Sequence, residues 1–277
     1  LIQFSGVPAV RTNHMPALDG LRGLAILVVM AHNAQLIEAP AMSGATLAAH
    51  YLLNIGWVGV QLFFVLSGFL ITGILLDTTG KPKALPNFVV RRALRIFPLY
   101  YTALALIFVI LPLLGMQPRI YQAEVPYQGW LWAYLVNWTA PLGWGPDSLP
   151  HFWSLSVEEQ FYFALPWLLT LTWGLSRRRR IRNLATAVAL AAAISFGLSA
   201  IFTFSLVPES TPVVGPNLAE YPDWSQAFAF FSPVTRSWEF LLGVGVLLLS
   251  HRWEPRSRNA LLLAGLGSLL LTLTFVL

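Results

Sequence analysis

The chain has 277 residues, of which 56% are hydrophobic and 10% charged, and its mean hydropathy is +0.65. A soluble domain carries about 25% charged residues, so this composition predicts a polytopic membrane protein and excludes an ordinary soluble domain. The chain has no cysteine, which excludes disulfides, thiolate nucleophiles and sulfur-bound metals. The net charge of +5 comes from basic clusters between apolar runs, a pattern typical of membrane topology rather than nucleic-acid binding.

Seven apolar runs are each long enough to cross about 30 Å of hydrocarbon as a helix. In chain order they cover residues 18–37, 55–76, 97–115, 157–175, 184–207, 234–250 and 260–277. The sequence therefore predicts an all-α transmembrane bundle of about seven spans, with residues 1–277 as one domain. The chain begins with Leu1, and its last run has no polar flank, so we expect the natural start to be missing and the domain to be incomplete at its C-terminus.

An eighth apolar run, residues 130–138, is about half the length of a span, and it decides the topology. If it does not cross, all but two of the 17 Lys and Arg residues share one side; the exceptions are Arg119 and Arg236. The positive-inside rule makes that side cytoplasmic. If it does cross, the four arginines at 177–180 face outward. We therefore expect a multi-pass inner-membrane protein with a cytoplasmic N-terminus.

The aromatic content of residues 130–138 then predicts a short interfacial or re-entrant helix. On the outer side the same topology places residues 116–156 and 208–233, which are rich in Pro, Gly and aromatic residues. That composition predicts ordered loops rather than helices.

The first span carries Arg22 and, ten residues later, His32. The rise between them is about 15 Å in a helix, which places Arg22 near the cytoplasmic face and His32 in the outer half. An imidazole can act as a base near neutral pH. Alternatively, His32 is satisfied by a neighbouring helix or lies at the outer interface, and Arg22 simply pairs with Asp19 three residues before it.

The second and third spans carry further polar residues. Gly59, Ser67 and Gly68 allow close helix packing, and Gln61 is predicted to be a buried polar group that needs a partner. Arg92 and Arg95 are three residues apart and present two guanidiniums on one helical face, which suits a phosphate-bearing ligand. The alternative is an ordinary basic cluster that sets topology.

Glu158 and Glu159 are neighbours at the mouth of an apolar run. On a helix they point about 100° apart, so at most one of them faces a given site well. One could accept a proton or orient His32 while the other pairs with an arginine such as Arg236; alternatively, both are hydrated carboxylates at the interface. Charge counting places residues 151–162 at the outer face, across the bilayer from Arg92 and Arg95. The spacing of His50, His151 and Glu158 does not support a metal site, so we expect no metal.

Residues 16–25, 59–72, 91–101 and 153–162, with a weaker match at 236–243, together resemble the acyltransferase 3 family of integral membrane O-acyltransferases. The motifs occur in family order and extend the resemblance from about residue 14 to residue 277. The resemblance implies transfer of an acyl group, usually acetyl, from cytoplasmic acyl-CoA to a hydroxyl of a carbohydrate or similar acceptor. It implicates Arg22, His32, Glu158 and Glu159 in catalysis and Arg92 and Arg95 in binding the donor.

The chain departs from the family pattern in three respects. Nine residues separate Arg22 from His32, whereas ten are common in the family, and one residue turns a helix by about 100°. Gln61 stands where many members have Asp, so a charge at that position is not essential here. The family usually has about ten spans, three more than the seven predicted.

We therefore expect a membrane O-acyltransferase with acyl-CoA, above all acetyl-CoA, as donor and a cell-envelope carbohydrate or glycolipid as acceptor. Its other partners are membrane lipids; no nucleic acid or metal is expected. The alternative is a transporter or flippase for a carbohydrate-linked lipid or acyl donor, which would use the same His, Arg and Glu residues as a substrate pathway. A structural or sensory membrane module, for which His32 is dispensable, is disfavoured because ionisable residues recur at the ends of several spans.

Overall fold

The computed structural model describes residues 16–33, 44, 55–78, 81–142, 149, 151–170, 177–204 and 224–250. These residues form helices and turns with no strand among them, in agreement with the predicted all-α class. The helices are α1 (Pro16–Asn33), α2 (Val58–Thr78), α3 (Ala84–Ala105), α4 (Arg119–Glu124), α5 (Gln128–Trp132), α6 (Phe152–Thr170), α7 (Arg177–Thr203), α8 (Trp224–Phe231) and α9 (Pro233–Ser250). A π-helical turn, Leu106–Ile110, and a last turn, Leu111–Leu113, continue α3.

Three of the described helical segments are long and apolar enough to cross a membrane: Val58–Thr78, Ala84–Leu113 and Arg182–Thr203. The protein is therefore a helical membrane protein. The count of seven spans stays a prediction, and the seventh run, residues 260–277, lies outside the described residues.

Two segments that the sequence predicted to be loops are partly helical. Residues 116–156 contain α4 and α5, and residues 208–233 contain α8. The prediction read proline and aromatic residues as loop signals, but Pro118 immediately precedes α4 and Pro233 begins α9. Proline is tolerated at the first turn of a helix, where its missing N–H has no intrahelical partner. The four arginines at 177–180 are also helical, because α7 begins at Arg177.

The chain divides into two compact units, one of Leu1–Ala84 with Glu239–Val276 and one of Leu85–Trp238. In the first unit, two glycines bring the start of α2 and the turn before it close to α1. A β-carbon on Gly59 would lie 2.7 Å from the Ala25 carbonyl oxygen, and one on Gly56 would overlap the β-carbon of His32. This contact fixes the backbone of α1 at the predicted catalytic histidine.

Two other glycines bring the middle of α2 against α9. A β-carbon on Gly68 would overlap the Phe240 carbonyl oxygen, and one on Gly243 would overlap the Val65 carbonyl oxygen. The rings of Phe64 and Phe240 stack beside them with centroids 4.3 Å apart. Small residues at such crossings let helix backbones approach closely in a membrane. The predicted packing role of Gly59 and Gly68 is confirmed.

In the second unit, α3 and α6 lie beside each other and run in opposite directions. The Tyr100 ring on α3 lies 5.0 Å from the Phe152 ring on α6, between centroids. Further along, the Arg92 guanidinium carbon lies 3.9 Å from the centroid of the Tyr162 ring. The numbering falls from 100 to 92 on α3 as it rises from 152 to 162 on α6, as an antiparallel pair requires.

The connection between these two helices returns to the middle of α3. Tyr100 lies thirteen residues before Leu113, or about 20 Å along the helix. Its hydroxyl donates a hydrogen bond of 2.7 Å to the Leu131 carbonyl oxygen, and its ring stacks on Tyr134 with centroids 3.9 Å apart. We call residues 130–138 the re-entrant segment because they return to the middle of α3; the choice between an interfacial and a membrane-inserted position stays a prediction.

Candidate active site

In the first unit, α1 carries the predicted base. The side chain of His32 is half-buried, and its Nδ1 is buried without a hydrogen-bond partner among the residues that the structure describes. Ten residues earlier, the Arg22 guanidinium carbon lies 5.3 Å from the centroid of the Phe63 ring on α2, within range of a cation–π interaction. The imidazole therefore has a nitrogen that no described protein group occupies.

Gln61 lies in the same unit and is buried, as predicted for a polar residue on α2. Its Oε1 is also without a hydrogen-bond partner within the described ranges. A buried polar atom left unpaired costs about 1–3 kcal/mol, so this amide marks a place where a further polar group fits. The expectation that Gln61 has a polar partner stays a prediction.

In the second unit, Arg92 lies beside both predicted carboxylates. The half-buried guanidinium interacts electrostatically with Glu158 and Glu159 and lies over the face of Tyr162. Arg95, one turn along α3, is exposed. The two arginines that the spacing grouped therefore have different surroundings. Arg92 lies near the carboxylates, whereas the side chain of Arg95 is exposed.

The expectation that the glutamates lie across the bilayer from Arg92 is wrong. Arg92 lies about 12 Å from the start of α3 at Ala84 and about 31 Å from its last turn at Leu113. Glu158 and Glu159 interact with it and therefore share its depth. The prediction failed because it started α6 at the outer face, whereas the re-entrant segment brings the chain back before α6 begins.

The two adjacent carboxylates have different surroundings, as their divergence on a helix requires. Glu158 is almost fully buried, with 4% of its surface exposed. Glu159 is half-buried and interacts electrostatically with Tyr101 and Tyr134 as well as with Arg92. Its Oε1 has no hydrogen-bond partner in the described part of the chain. Glu159 therefore lies near tyrosines of α3 and of the re-entrant segment, and we call Glu159, Tyr101, Trp132 and Tyr134 the aromatic cluster.

Tyr134 is a residue of this cluster that the sequence did not single out for function. Its backbone has a φ of 55°, the left-handed region that non-glycine residues rarely adopt. Burial, together with nearby Tyr100 and Glu159, raises the pKa of Tyr134 far above its ordinary value, so its phenol stays protonated. Strained backbone at such a position is a signal of function that only a structure reveals.

Gln160, the residue after Glu159, holds the re-entrant segment in place. Its Nε2 donates to the Tyr134 carbonyl oxygen at 3.0 Å and to Asn137 Oδ1 at 2.8 Å. The Nδ2 of Asn137 in turn donates to the Phe231 carbonyl oxygen at 3.3 Å. A glutamine that follows two glutamates on α6 was the available sequence signal, but nothing in the sequence identified its partners.

Arg236, at the start of α9, is nearly buried within the second unit. Its Nε donates to the Phe230 carbonyl oxygen at 2.8 Å, and its guanidinium carbon lies 4.4 Å from the Phe230 ring centroid. These contacts join α9 to α8. Pairing of Arg236 with a glutamate stays a prediction.

Within the described ranges, no group of three His, Asp or Glu side chains is placed to hold a metal ion. His151 is exposed at the start of α6, and His50 lies outside the described residues.

Comparison with known proteins relates this arrangement to a family. A family model described as an acyltransferase domain, acyltransferase 3, matches residues 15–277. The O-acetyltransferase OatA of Staphylococcus aureus strain NCTC 8325 is 28% identical over 249 residues, which cover 87% of this chain and 35% of OatA. A protein of strain MSSA476, named "Putative O-acetyltransferase SAS0844", is 31% identical over 256 residues, which cover 88% of this chain and 36% of that protein.

The chain thus spans about a third of the length of these curated relatives. No solved structure matches it. Because the family model covers nearly every residue of this helical membrane protein, the chain belongs to the acyltransferase 3 family.

Proposed function

We propose that this protein is an O-acetyltransferase of the inner membrane that moves an acetyl group from cytoplasmic acetyl-CoA to a hydroxyl of a cell-envelope carbohydrate. The observation that carries the proposal is the cluster of Arg92, Glu158 and Glu159 within a helical domain of this family. Placing one charged residue at the centre of a membrane helix costs about 2.5–3.5 kcal/mol on insertion scales. Arg92 interacts electrostatically with both glutamates, and three such costly charges near one another support a functional site. Similarity to proteins named as O-acetyltransferases supports acetyl as the group transferred.

On the donor side, Arg95 and Arg92 bind the phosphates of acetyl-CoA. Guanidinium groups suit phosphate because they are always charged and donate paired hydrogen bonds. Arg95 is exposed and free to make the first contact, whereas Arg92 also adjoins the two glutamates. In this proposal Arg92 joins the donor site to the carboxylates that serve the acceptor.

In the chemical step, the acceptor oxygen attacks the thioester carbonyl carbon, a carbon–oxygen bond forms and the carbon–sulfur bond breaks. His32 takes the proton of the acceptor hydroxyl and returns it to the sulfur of the departing CoA, which leaves as the thiol. In the alternative route, His32 carries the acetyl group briefly before the acceptor takes it. Both routes need an unprotonated imidazole nitrogen, and the buried Nδ1 without a described partner supports either. Arg22, on the same helix, is proposed to stabilise charge that develops during transfer.

The test compares two histidine variants of the full-length protein in membranes supplied with radiolabelled acetyl-CoA. In His32→Ala, the amount of labelled acetate that mild base releases from envelope carbohydrate is expected to fall at least 100-fold, because the base or carrier is lost. His151→Ala, a change at an exposed histidine, serves as the control and should retain activity. Normal turnover by His32→Ala at equal expression would refute the role of His32. Flux of a carbohydrate-linked lipid without any covalent acetylation would favour the transporter instead.

A further inference from the structure

Two buried polar atoms in the aromatic cluster of the second unit lack hydrogen-bond partners among the described residues. One is Oε1 of Glu159 on α6; the other is the hydroxyl oxygen of Tyr134 on the re-entrant segment. Only 7% of the surface of Tyr134 is exposed. Buried polar groups in native proteins are nearly always paired, so an unpaired set calls for a ligand, a water or a strained arrangement.

The two atoms belong to one site. Glu159 and Tyr134 interact electrostatically. Gln160, next to Glu159, donates a 3.0 Å hydrogen bond to the Tyr134 carbonyl oxygen and so fixes that residue beside α6. The ring of Tyr134 is held from its other side by the stacked ring of Tyr100. Tyr134 is thus held by contacts that do not use its hydroxyl group.

The neighbouring tyrosines show that the free hydroxyl is particular to Tyr134. The hydroxyl of Tyr100 donates to the Leu131 carbonyl oxygen at 2.7 Å, and that of Tyr101 donates to the Trp132 carbonyl oxygen at 3.3 Å. Two of the three clustered tyrosines therefore use their hydroxyls to hold the re-entrant backbone. The buried hydroxyl of the third, Tyr134, makes no such hydrogen bond within the described ranges.

The chemistry of the two free atoms selects the ligand. A protonated phenol offers a donor, and a carboxylate oxygen offers an acceptor. An anion would be repelled by Glu159, and an ammonium group could not accept from Tyr134. A hydroxyl group meets both needs on one oxygen, since it donates its proton to Glu159 and accepts from Tyr134. We propose that a hydroxyl group of the acceptor, other than the one that is acetylated, binds between Glu159 and Tyr134, which makes this pair an acceptor subsite.

This inference rests on the proposed function and deepens it. It assigns Glu159, rather than Glu158, to direct contact with the acceptor, and it adds Tyr134 as a substrate-binding residue. The half-buried rings of Tyr101 and Trp132, stacked on each other beside Glu159, supply an apolar wall that suits the face of a sugar.

The experiment uses the full-length protein in membranes and measures acetyl transfer from radiolabelled acetyl-CoA to envelope carbohydrate. Tyr134→Phe is expected to lower transfer about tenfold and leave the KM for acetyl-CoA unchanged, because one hydrogen bond to the acceptor is lost and the donor site is untouched. Its midpoint of thermal unfolding should not fall, since the removed hydroxyl has no described partner. Tyr121→Phe, the same change on α4 outside the aromatic cluster, is the matched control and should transfer acetyl groups normally.

A second variant tests whether both residues hold the same group. Glu159→Gln alone should also lower transfer, and the double variant Tyr134→Phe/Glu159→Gln should lose much less than the product of the two single losses. Independent, multiplying losses would overturn the shared site. The shared site would also be overturned if Tyr134→Phe transferred acetyl groups at the rate of the unaltered protein. The same holds if Tyr134→Phe lost as much hydrolysis of acetyl-CoA in the absence of acceptor as it loses in transfer. If the unaltered protein transfers no acetyl group, the proposed function fails and this inference fails with it.

Discussion

The two units hold their functional residues in different ways. In the first, α2 meets α1 and α9 through glycines, so backbone touches backbone and the space for a side chain is absent. In the second, a re-entrant segment is held against α3 and α6 by side-chain hydrogen bonds and stacked rings. The first arrangement tolerates no added atom, whereas the second loses its contacts one at a time. The contrast predicts all-or-none effects in one unit and graded effects in the other.

The largest effect is expected from one methyl group in the first unit. Gly243→Ala places a β-carbon against the Val65 carbonyl oxygen, so α9 must move away from α2. We expect a loss of several kcal/mol in the free energy of unfolding, seen as a low yield of monodisperse protein in detergent. Gly245→Ala, on the same helix, meets no atom within 4 Å and should be neutral or stabilising by up to about 1 kcal/mol. Equal behaviour of the two variants would contradict close packing at Gly243.

The next effect separates the two arginines of α3. Arg92→Ala removes the cation that interacts with Glu158 and Glu159 and leaves these neighbouring carboxylates without it, so we expect a loss of about 2–4 kcal/mol in unfolding free energy as well as a loss of activity. Arg95→Ala removes an exposed charge and should change stability by less than about 0.5 kcal/mol while it raises the KM for acetyl-CoA about tenfold. Thermal unfolding and donor kinetics on the same preparations measure both. A fully stable Arg92→Ala protein would rule out the cluster.

The sequence predicted the helical class, the membrane location and the family, because run length and ordered motifs determine them. It did not predict that Arg92 and Glu158 meet. Their proximity depends on where the re-entrant segment returns along α3, and tertiary contacts such as Tyr100 to Leu131 set that position. Hydropathy shows only that the apolar run at residues 130–138 is too short to cross the membrane. Likewise, Gly68 was predicted to pack, but its partner Phe240 lies far along the chain and has no local signal.

The smallest effect tests the graded behaviour of the second unit. Gln160→Leu removes the part-buried hydrogen bonds to the Tyr134 carbonyl oxygen and to Asn137 and leaves those groups with fewer partners. We expect a loss of about 1–3 kcal/mol in unfolding free energy. Because Gln160 holds Tyr134 beside Glu159, transfer to the acceptor should fall several-fold while the KM for acetyl-CoA stays the same.

The matched control for that change is Gln122→Leu, since Gln122 also donates from Nε2 to a backbone oxygen, that of Gln117 at 3.0 Å, but at an exposed site. Water replaces an exposed partner, so this variant should lose less than about 0.5 kcal/mol and transfer normally. If Gln160→Leu is as stable and as active as Gln122→Leu, the re-entrant segment is held by its aromatic contacts alone. The position of Tyr134 would then not depend on α6, and the structural connection between Tyr134 and Glu159 would be lost.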